Sequence, residues 1–411
     1  VSFVRTRRGE YKRVQVVEIL ERREATYVGR LQISRGYAFF VSLNKELRQD
    51  VFIPEDKTMG ATGHDKVVVR ITDWDRKSKN PRGEVVDILG KAGDNSTEMH
   101  AILAEFGLPY SYPEAVEKAA EALSAELTEE ELAQREDFRG VLTCTIDPRD
   151  AKDFDDALSF RTLPEGGYEV GVHIADVSHY VRAGEPLDVE AARRGTSVYL
   201  VDRVIPMLPR ELSNGICSLN EGVDRLSMAC EMEIGADGEV KSYEIVPCVI
   251  HVARRLTYTL VNKILAGEEP FVADNEDIRP MLETLRRLRE ALRAKRHRRG
   301  SIDFELPEIK VKLDAEGHPV ALIKRTGSIG ESIIEECMLI ANETVARHME
   351  LKDEPFVYRV HETPNSEKIE RFQSLLAALG LRLNVGEDGK VQPRDIQAVL
   401  DRVKGAPEER I

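Results

Sequence analysis

Cysteines are few and scattered in this 411-residue sequence, and none of the five falls in a CxxC pair. This argues against a disulfide framework and against a zinc cage, and it favours a reducing, cytoplasmic location. No stretch approaches the roughly 18 apolar residues of a membrane span. The first ten residues, VSFVRTRRGE, lack the apolar core of a secretory signal. We therefore expect a soluble protein with no membrane partner.

Positively charged residues are fewer than negatively charged ones: the sequence has 59 Lys and Arg residues and 73 Asp and Glu residues, and its net charge is −14. This balance argues against a protein that binds nucleic acid through an overall basic surface. A local basic channel stays open, because the distribution of charge matters more than its sum. The sequence also lacks HExxH and GxSxG patterns, so we expect neither a histidine metal pair nor a serine nucleophile.

The densest feature that is present is an acidic run, DPRDAKDFDDA, over residues 147–157. It contains five aspartates, Asp147, Asp150, Asp153, Asp155 and Asp156, and we single out the four at offsets 0, 6, 8 and 9: Asp147, Asp153, Asp155 and Asp156. Carboxylates packed this closely raise one another's pKa and destabilise a fold, whereas a bound Mg²⁺ offsets their repulsion. A solvated acidic loop explains the same composition. These eleven residues alone therefore leave two interpretations open, a metal site for phosphoryl chemistry and an acidic loop.

Hydrophobic periodicity along the chain predicts an α+β protein with a small all-β domain near its start. Short β-rich runs separated by turns over residues 25–92 predict a small barrel. Residues 93–135 have helical periodicity and are predicted to form a connector. Strands and helices are mixed over 136–411, which predicts one large α+β domain. Residues 1–24 contain strand-like pieces and are expected to be the remainder of a preceding barrel.

Aromatic side chains alternate along two neighbouring strands of the predicted barrel. Tyr37, Phe39 and Phe52, in GYAFFV and DVFIP, are expected on one face. The basic residues expected around them are Arg30, Arg35, Lys45 and Arg48. Such a surface stacks single-stranded bases, and this is the interpretation that we favour. The alternative is that the aromatic rings fill the core of the barrel.

Five motifs in a fixed order resemble the ribonuclease II and ribonuclease R family. They are DPRDAKDFDDA (147–157), HIADVSHYV (173–181), IPMLPRELSNGICSLNEGVDRLSM (205–228), RRGSIDF (298–304) and YRVHETPNSEKI (358–369). The resemblance extends from residue 25 to the end of the chain and is closer to the ribonuclease R branch. The barrel strands resemble cold-shock domains, although Ala38 stands where glycine is usual. Membership implies an RNB-type catalytic domain and a metal-dependent exoribonuclease, which hydrolyses single-stranded RNA processively from the 3′ end to nucleoside 5′-monophosphates.

The resemblance also implies roles for the four aspartates. Asp147 and Asp156 match direct metal ligands, and Asp153 matches a further carboxylate of the metal site. Asp155 matches the aspartate whose loss abolishes cleavage in the family while RNA binding survives. The implied cofactor is Mg²⁺, with Mn²⁺ as the alternative, and the implied partner is single-stranded RNA bound by a monomer.

Substrate contacts are expected from aromatic and basic residues outside the acidic run. Tyr199 and Phe304 match aromatic residues that enclose the terminal bases in the family. Arg298 and Arg299 adjoin Phe304 in the sequence and are expected to contact the RNA. The alternative for this arginine-rich segment is a solvated helix face, whose C-terminal cations suit the helix dipole.

One part of the family pattern is missing before Ile411. The family uses an arginine in a later Arg- and Pro-rich motif to stabilise charge on the cleaved phosphate, a large term in catalysis. The family's C-terminal RNA-binding barrel is missing too, so we expect these residues to be part of a longer polypeptide whose catalytic domain continues. The rival function is a non-catalytic RNA-binding or regulatory protein with the RNB fold, and the intact aspartate set counts against it.

Overall fold

A computed structural model describes most of the chain in two compact units. The described residues are 2–4, 13–15, 17–18, 26–34, 36–42, 47, 49–74, 79–164, 166–302, 308–362, 364–386 and 390–410. The first unit comprises residues 1–113, 194–207 and 313–320, and the second comprises 114–193, 208–312 and 321–411. Within the described ranges, no helix is long and apolar enough to cross a membrane.

The first unit is built around a closed five-stranded barrel with the strand order β3-β4-β5-β7-β6. Its strands are β3 (Thr26–Ser34), β4 (Tyr37–Ser42), β5 (Val51–Pro54), β6 (Asp65–Asp73) and β7 (Arg82–Lys91). Neighbouring strands are antiparallel except for β5 and β7, which meet in parallel at Phe52 and Arg82. The strand runs predicted over residues 25–92 therefore close into a barrel.

Alternation along β4 decides which aromatic rings enter the barrel core. Ala38 and Phe40 are fully buried there, together with Leu31, Ile53 and Val67. Gly29 on the neighbouring strand makes room for this core, since a Cβ there would lie 2.2 Å from the Val41 carbonyl oxygen and 2.8 Å from the Phe40 ring.

Three further pieces belong to the first unit. Helix α1 (Asn95–Glu105) packs against β3, β6 and β7, with Ala101 in a cluster with Val28 and Val68. Two short antiparallel pairs complete the unit: β1 (Ser2–Val4) with β2 (Arg13–Gln15), and β12 (Val198–Tyr199) with β13 (Val204–Ile205).

A seven-stranded mixed sheet forms the centre of the second unit, in the order β16-β9-β10-β11-β14-β15-β8. Its strands are β8 (Glu136–Phe138), β9 (Thr143–Asp147), β10 (Asp156–Thr162), β11 (Tyr168–Ala175), β14 (Asp224–Ile234), β15 (Val240–His251) and β16 (Arg254–Thr257). The pairs β9–β16 and β8–β15 are parallel, and the other pairs are antiparallel. The predicted α+β class is confirmed.

Three helices cover one face of this sheet: α6 (Tyr258–Ala266), α7 (Arg279–Arg299) and α8 (Ile329–Leu351). The leucines predicted on one face of α7 (Leu282, Leu285, Leu288 and Leu292) are all buried. Helix α8 begins with a capping box, in which Ser328 and Glu331 each accept a hydrogen bond from the other's backbone N–H. Both helices lie where the apolar periodicity predicts them.

The remaining elements are short or peripheral. They are α2 (Glu114–Glu121), α3 (Glu129–Ala133), α4 (Val177–Tyr180), α5 (Pro186–Arg194), β17 (Glu308–Leu313), β18 (Pro319–Arg325), α9 (Ser366–Ala378) and α10 (Pro393–Val403). One turn of π-helix spans Glu211–Ile216, and 3₁₀ turns span Glu55–Lys57, Ala273–Asn275 and Pro407–Arg410.

Candidate active site

The aspartate loop, residues 147–156, joins two adjacent strands of the central sheet. Strand β9 ends at Asp147 and β10 begins at Asp156, and the two strands are antiparallel neighbours. Because β9 ends and β10 begins at the same end of the two strands, the loop brings both ends of the acidic run to that end of the sheet. On the other side of β9, Thr257 of β16 pairs with Asp147.

Phe154 anchors the second half of the loop. Its side chain is buried, its N–H donates to Ser218 Oγ at 3.0 Å, and its carbonyl oxygen accepts from the Leu219 N–H at 2.8 Å. The flanking Asp155 is exposed, and its carbonyl oxygen accepts from the Ala175 N–H at 2.9 Å. A buried aromatic residue between Asp153 and Asp155 therefore keeps both carboxylates out of the core.

Three carboxylates of the loop, those of Asp147, Asp155 and Asp156, have raised pKa values. Loss of surrounding water and the nearby Asp156 charge raise the pKa of Asp147 to about 7. Loss of water and the Asp155 charge raise the pKa of Asp156 to about 6. The same two effects, with Asp153 as the neighbour, raise the pKa of Asp155. The crowding therefore costs free energy in the metal-free protein.

The donor atoms of the loop fit a hard divalent cation. Asp147 Oδ2 is buried and has no hydrogen-bond partner in the part of the chain that the structure describes. In the same ranges, no three His, Cys, Asp or Glu side chains converge closely enough to enclose a metal ion. Mg²⁺ does not need such an enclosure, because it is usually bound by one or two carboxylates together with waters and substrate phosphates. Asp147, Asp153, Asp155 and Asp156 are the residues that could hold it.

The three aromatic residues predicted on one face of the barrel lie together. Phe39 and Phe52 are cross-strand partners, and the centres of their rings are 5.8 Å apart. The Tyr37 ring lies 5.7 Å from Phe39 and 6.0 Å from Phe52. Arg82, which the sequence analysis did not single out, places its guanidinium 5.6 Å from the centre of the Phe52 ring. These three rings lie outside the barrel core, where the buried aromatic ring is that of Phe40.

The remaining predicted contact residues fall in several places. Tyr199 lies on β12 in the first unit, and the residue is 68% exposed. Arg299 forms an ion pair with Glu343 at 2.8 Å, and Arg298 donates to the carbonyl oxygen of Asp237 at 3.5 Å. Of the basic residues expected near the barrel aromatics, Arg30 is exposed on β3. The predicted positions outside the described residues are Phe304, Arg35, Lys45 and Arg48.

Arg255 contacts the aspartate loop and was missed by sequence reasoning. Its Nη2 donates to the carbonyl oxygens of Arg149 and Ala151, at 3.1 Å each. Its neighbour Arg254 instead pairs with Asp277 at 2.7 Å. The sequence gives no signal that separates the two adjacent arginines, because the difference arises from which face of β16 each side chain leaves.

Family models match both parts of the chain. The RNB domain model matches residues 135–411, and the cold shock domain model matches residues 39–113. The RNB match covers more than half of the sequence, so the chain belongs to the RNB-domain family.

Relatives and solved structures agree with this family. Ribonuclease R of Thermotoga maritima is 42% identical over 399 residues, which cover 96% of this chain and 56% of the relative. Ribonuclease R of Escherichia coli is 39% identical over 97% of this chain and 49% of its own length. The structure of Mycoplasma genitalium RNase R in complex with ribose-methylated single-stranded RNA matches with a TM-score of 0.90, at 27% identity, over 100% of this chain and 65% of that one. The chain thus spans about half the length of these curated relatives.

Proposed function

We propose that the protein is a hydrolytic exoribonuclease of the ribonuclease R type. It shortens single-stranded RNA processively from the 3′ end and releases nucleoside 5′-monophosphates. The observation that carries this proposal is the aspartate loop. Asp147 presents a buried carboxylate oxygen without a hydrogen-bond partner in the described residues, and loss of water together with neighbouring carboxylates raises the pKa of Asp147 and Asp156. The ribonuclease R relatives and the RNA-bound Mycoplasma structure support RNA as the substrate.

The cofactor that we propose is Mg²⁺, with Mn²⁺ as the alternative, held by Asp147, Asp153, Asp155 and Asp156. When bound, divalent ions at such a site supply an activated water and stabilise the oxygen that leaves phosphorus. The chain's own contribution is to hold the carboxylates at one edge of the sheet, with Phe154 buried between Asp153 and Asp155. Asp155 is the residue whose carboxylate we expect to be needed for cleavage but not for RNA binding.

Substrate binding is proposed to rest on stacking, which explains degradation without sequence preference because every base has a π-face. Tyr37, Phe39 and Phe52 form an aromatic cluster that can stack bases of the incoming strand. Tyr199 and Phe304 are proposed to contact the terminal bases. Arg299 must exchange its ion pair with Glu343 for a phosphate if it contacts the RNA backbone, and Arg298 lies beside it at the end of α7.

For location and assembly we propose what the sequence analysis predicts. The five cysteines are all buried and unpaired, which suits the reducing cytoplasm that we propose as the location. The monomeric state and the lack of a membrane partner remain predictions.

The substitution Asp155→Asn tests the catalytic assignment in the natural protein. It should abolish RNA turnover and leave RNA affinity nearly unchanged, because the amide cannot supply the carboxylate charge while the stacking residues are untouched. The matched control is Asp150→Asn, in the same loop, where Asp150 pairs with Lys310 at 3.2 Å and is not one of the proposed ligands. Turnover is measured on single-stranded RNA with Mg²⁺, and affinity is measured in EDTA.

Two outcomes would count against the assignment. Equal loss of affinity and turnover in the Asp155→Asn variant would show that Asp155 serves RNA binding rather than cleavage. Tight RNA binding by the parent protein with no turnover would favour the rival, non-catalytic RNA-binding protein.

A further inference from the structure

The first half of the aspartate loop is held by Arg255, a side chain of β16. Strand β16 pairs with β9 on the side opposite to β10. Arg255 of β16 donates from Nη2 to the carbonyl oxygens of Arg149 and Ala151, at 3.1 Å each. Its guanidinium carbon lies 4.7 Å from the centre of the Phe154 ring. One arginine thus contacts the loop at residues 149, 151 and 154, which lie between Asp147 and Asp155.

The backbone of Arg255 is fixed by a hydrogen bond to Glu221 and by its pairing with β9. Its N–H donates to a carboxylate oxygen of Glu221 at 3.2 Å, and its register on β16 places it opposite Thr145 of β9. Glu221 also forms an isolated bridge with Val252. The guanidinium therefore extends from a fixed strand onto a loop.

The second half of the loop has a separate anchor in Ser218, whose Oγ accepts from the Phe154 N–H at 3.0 Å. Ser218 is almost fully buried and belongs to the long motif over 205–228, to which the proposed chemistry gives no task. Arg255 and Ser218 therefore meet at Phe154, one through the ring and one through the backbone.

We propose that Arg255 is a positioning residue that holds the aspartate loop in the form that binds the divalent ion, with Ser218 as the second support. The guanidinium suits this task because it is flat: Nη2 donates to both carbonyl oxygens while the group lies over the Phe154 ring, whereas the ammonium of lysine is a compact point charge without a flat face. Side chains that orient ligands typically change metal affinity or activity by roughly 10–100-fold when they are replaced. This inference rests on the proposed function.

The test compares Arg255→Lys with the neighbouring Arg254→Lys in the natural protein. Both substitutions keep the positive charge, but the side chain of Arg254 pairs with Asp277 at the surface. Mn²⁺ binding is followed by electron paramagnetic resonance, which needs no turnover. Hydrogen exchange of the peptide that covers residues 148–156 reports on the loop. The Mg²⁺ concentration for half-maximal cleavage is measured alongside.

The expected result separates positioning from loss of stability. Arg255→Lys should weaken Mn²⁺ binding about tenfold, speed exchange in the loop and raise the half-maximal Mg²⁺ concentration by the same factor. Excess Mg²⁺ should restore kcat, which it would not do for an irreversibly unfolded fraction. Arg254→Lys should match the parent in all three measurements.

Unchanged Mn²⁺ affinity and unchanged loop exchange in Arg255→Lys would overturn the inference. If that variant does not fold, Ser218→Ala decides. Weaker Mn²⁺ binding by Ser218→Ala would support the claim that side chains outside the loop hold it for metal binding, and Mn²⁺ binding equal to that of the parent would contradict it. If the parent protein binds Mn²⁺ but does not cleave RNA, the proposed function is refuted and the inference about Arg255 is not. The comparison of Mn²⁺ affinities between the parent and Arg255→Lys still tests that inference.

Discussion

At the scale of single residues, two carboxylates stand out because each has one buried oxygen that makes no hydrogen bond within the described residues. Asp147 Oδ2 and Glu231 Oε1 are both buried without a hydrogen-bond partner among the described residues. Asp147 lies in the aspartate loop, where a cation can offset its charge. Glu231 lies on β14, where Glu231 Oε1 is 3.7 Å from Nε2 of His173, and that nitrogen is hydrogen-bonded to Ser159 Oγ at 2.9 Å. The charged form of the Glu231 carboxylate is therefore disfavoured by its surroundings.

Glu231 should make the protein less stable as pH rises. Loss of water and the Glu169 charge raise its pKa to about 7, above the value of about 4.3 in the unfolded chain. Its contribution is therefore fully present below pH ~4.3 and is lost as pH rises through about 7. Glu231→Gln should raise Tm by about 1–3 °C at pH 8.5 and change it little at pH 5. Thermal unfolding at the two pH values measures the difference.

The control for this prediction is Glu233→Gln, two residues along the same strand. Glu233 is exposed and accepts a hydrogen bond from Ser242 Oγ at 2.6 Å, which an amide oxygen can also accept. This variant should keep the pH dependence of the parent. Equal Tm gains at pH 5 and pH 8.5 for Glu231→Gln would show that packing, and not charge, is responsible.

Sequence reasoning reached the aspartates but not their supports, for a physical reason. The spacing of Asp147, Asp153, Asp155 and Asp156 is local, and like charges that crowd within ten residues are visible in the sequence. Arg255 acts across strands, and its partners are carbonyl oxygens of the loop, which every residue carries. A hydrogen bond to backbone leaves no pattern in the partner's sequence. The roles of the predicted site residues remain predictions.

At the scale of elements, strand β4 shows how alternation assigns two adjacent phenylalanines to different tasks. Phe40 is fully buried in the barrel core, and Phe39 is half-buried in the outer aromatic cluster with Tyr37 and Phe52. Successive side chains on a strand point to opposite faces, so the sequence GYAFFV separates a core ring from a stacking ring. The two residues should therefore respond differently to the same substitution.

Phe39→Ala should weaken binding of single-stranded RNA by about 1–3 kcal/mol, because it removes one stacking ring. Its effect on the free energy of unfolding should be small. Phe40→Ala should instead lower the free energy of unfolding by about 3–5 kcal/mol, because it leaves a cavity in the core. Fluorescence anisotropy in EDTA measures binding, and urea unfolding measures stability.

A reversed pattern would contradict the face assignment of β4. If Phe39→Ala destabilised the barrel as much as Phe40→Ala and left RNA binding intact, the outer cluster would be packing rather than a binding surface.

Elements with a clear period were predictable, and their partners were not. The leucine stripe of α7 and the alternation of β3, β4 and β5 identify those elements directly. The parallel pairs β9–β16 and β8–β15 join segments about a hundred residues apart, so no local pattern predicts them. The packing of α1 against the barrel is a tertiary contact of the same kind, within a segment predicted to be a connector.

At the scale of the whole molecule, the chain combines a closed β-barrel with an RNB-type α+β unit. Family models assign residues 39–113 to a cold shock domain and residues 135–411 to an RNB domain. The domain boundaries expected at residues 24, 92 and 135 remain predictions. Domain limits are difficult to predict from sequence, since they depend on contacts between residues that are far apart along the chain. The division of labour that we propose places base stacking on the barrel and the metal at the aspartate loop.

The central claim is that this protein removes nucleotides from the 3′ end of RNA with a divalent metal. The most direct test incubates the natural protein with a 5′-labelled single-stranded RNA, with Mg²⁺ or with EDTA, and follows product length with time. The account predicts that the labelled RNA is shortened from the 3′ end to a short labelled oligonucleotide, with few intermediates, only when Mg²⁺ is present. Immediate release of a labelled mononucleotide, cleavage that persists in EDTA, or tight binding without any shortening would contradict it.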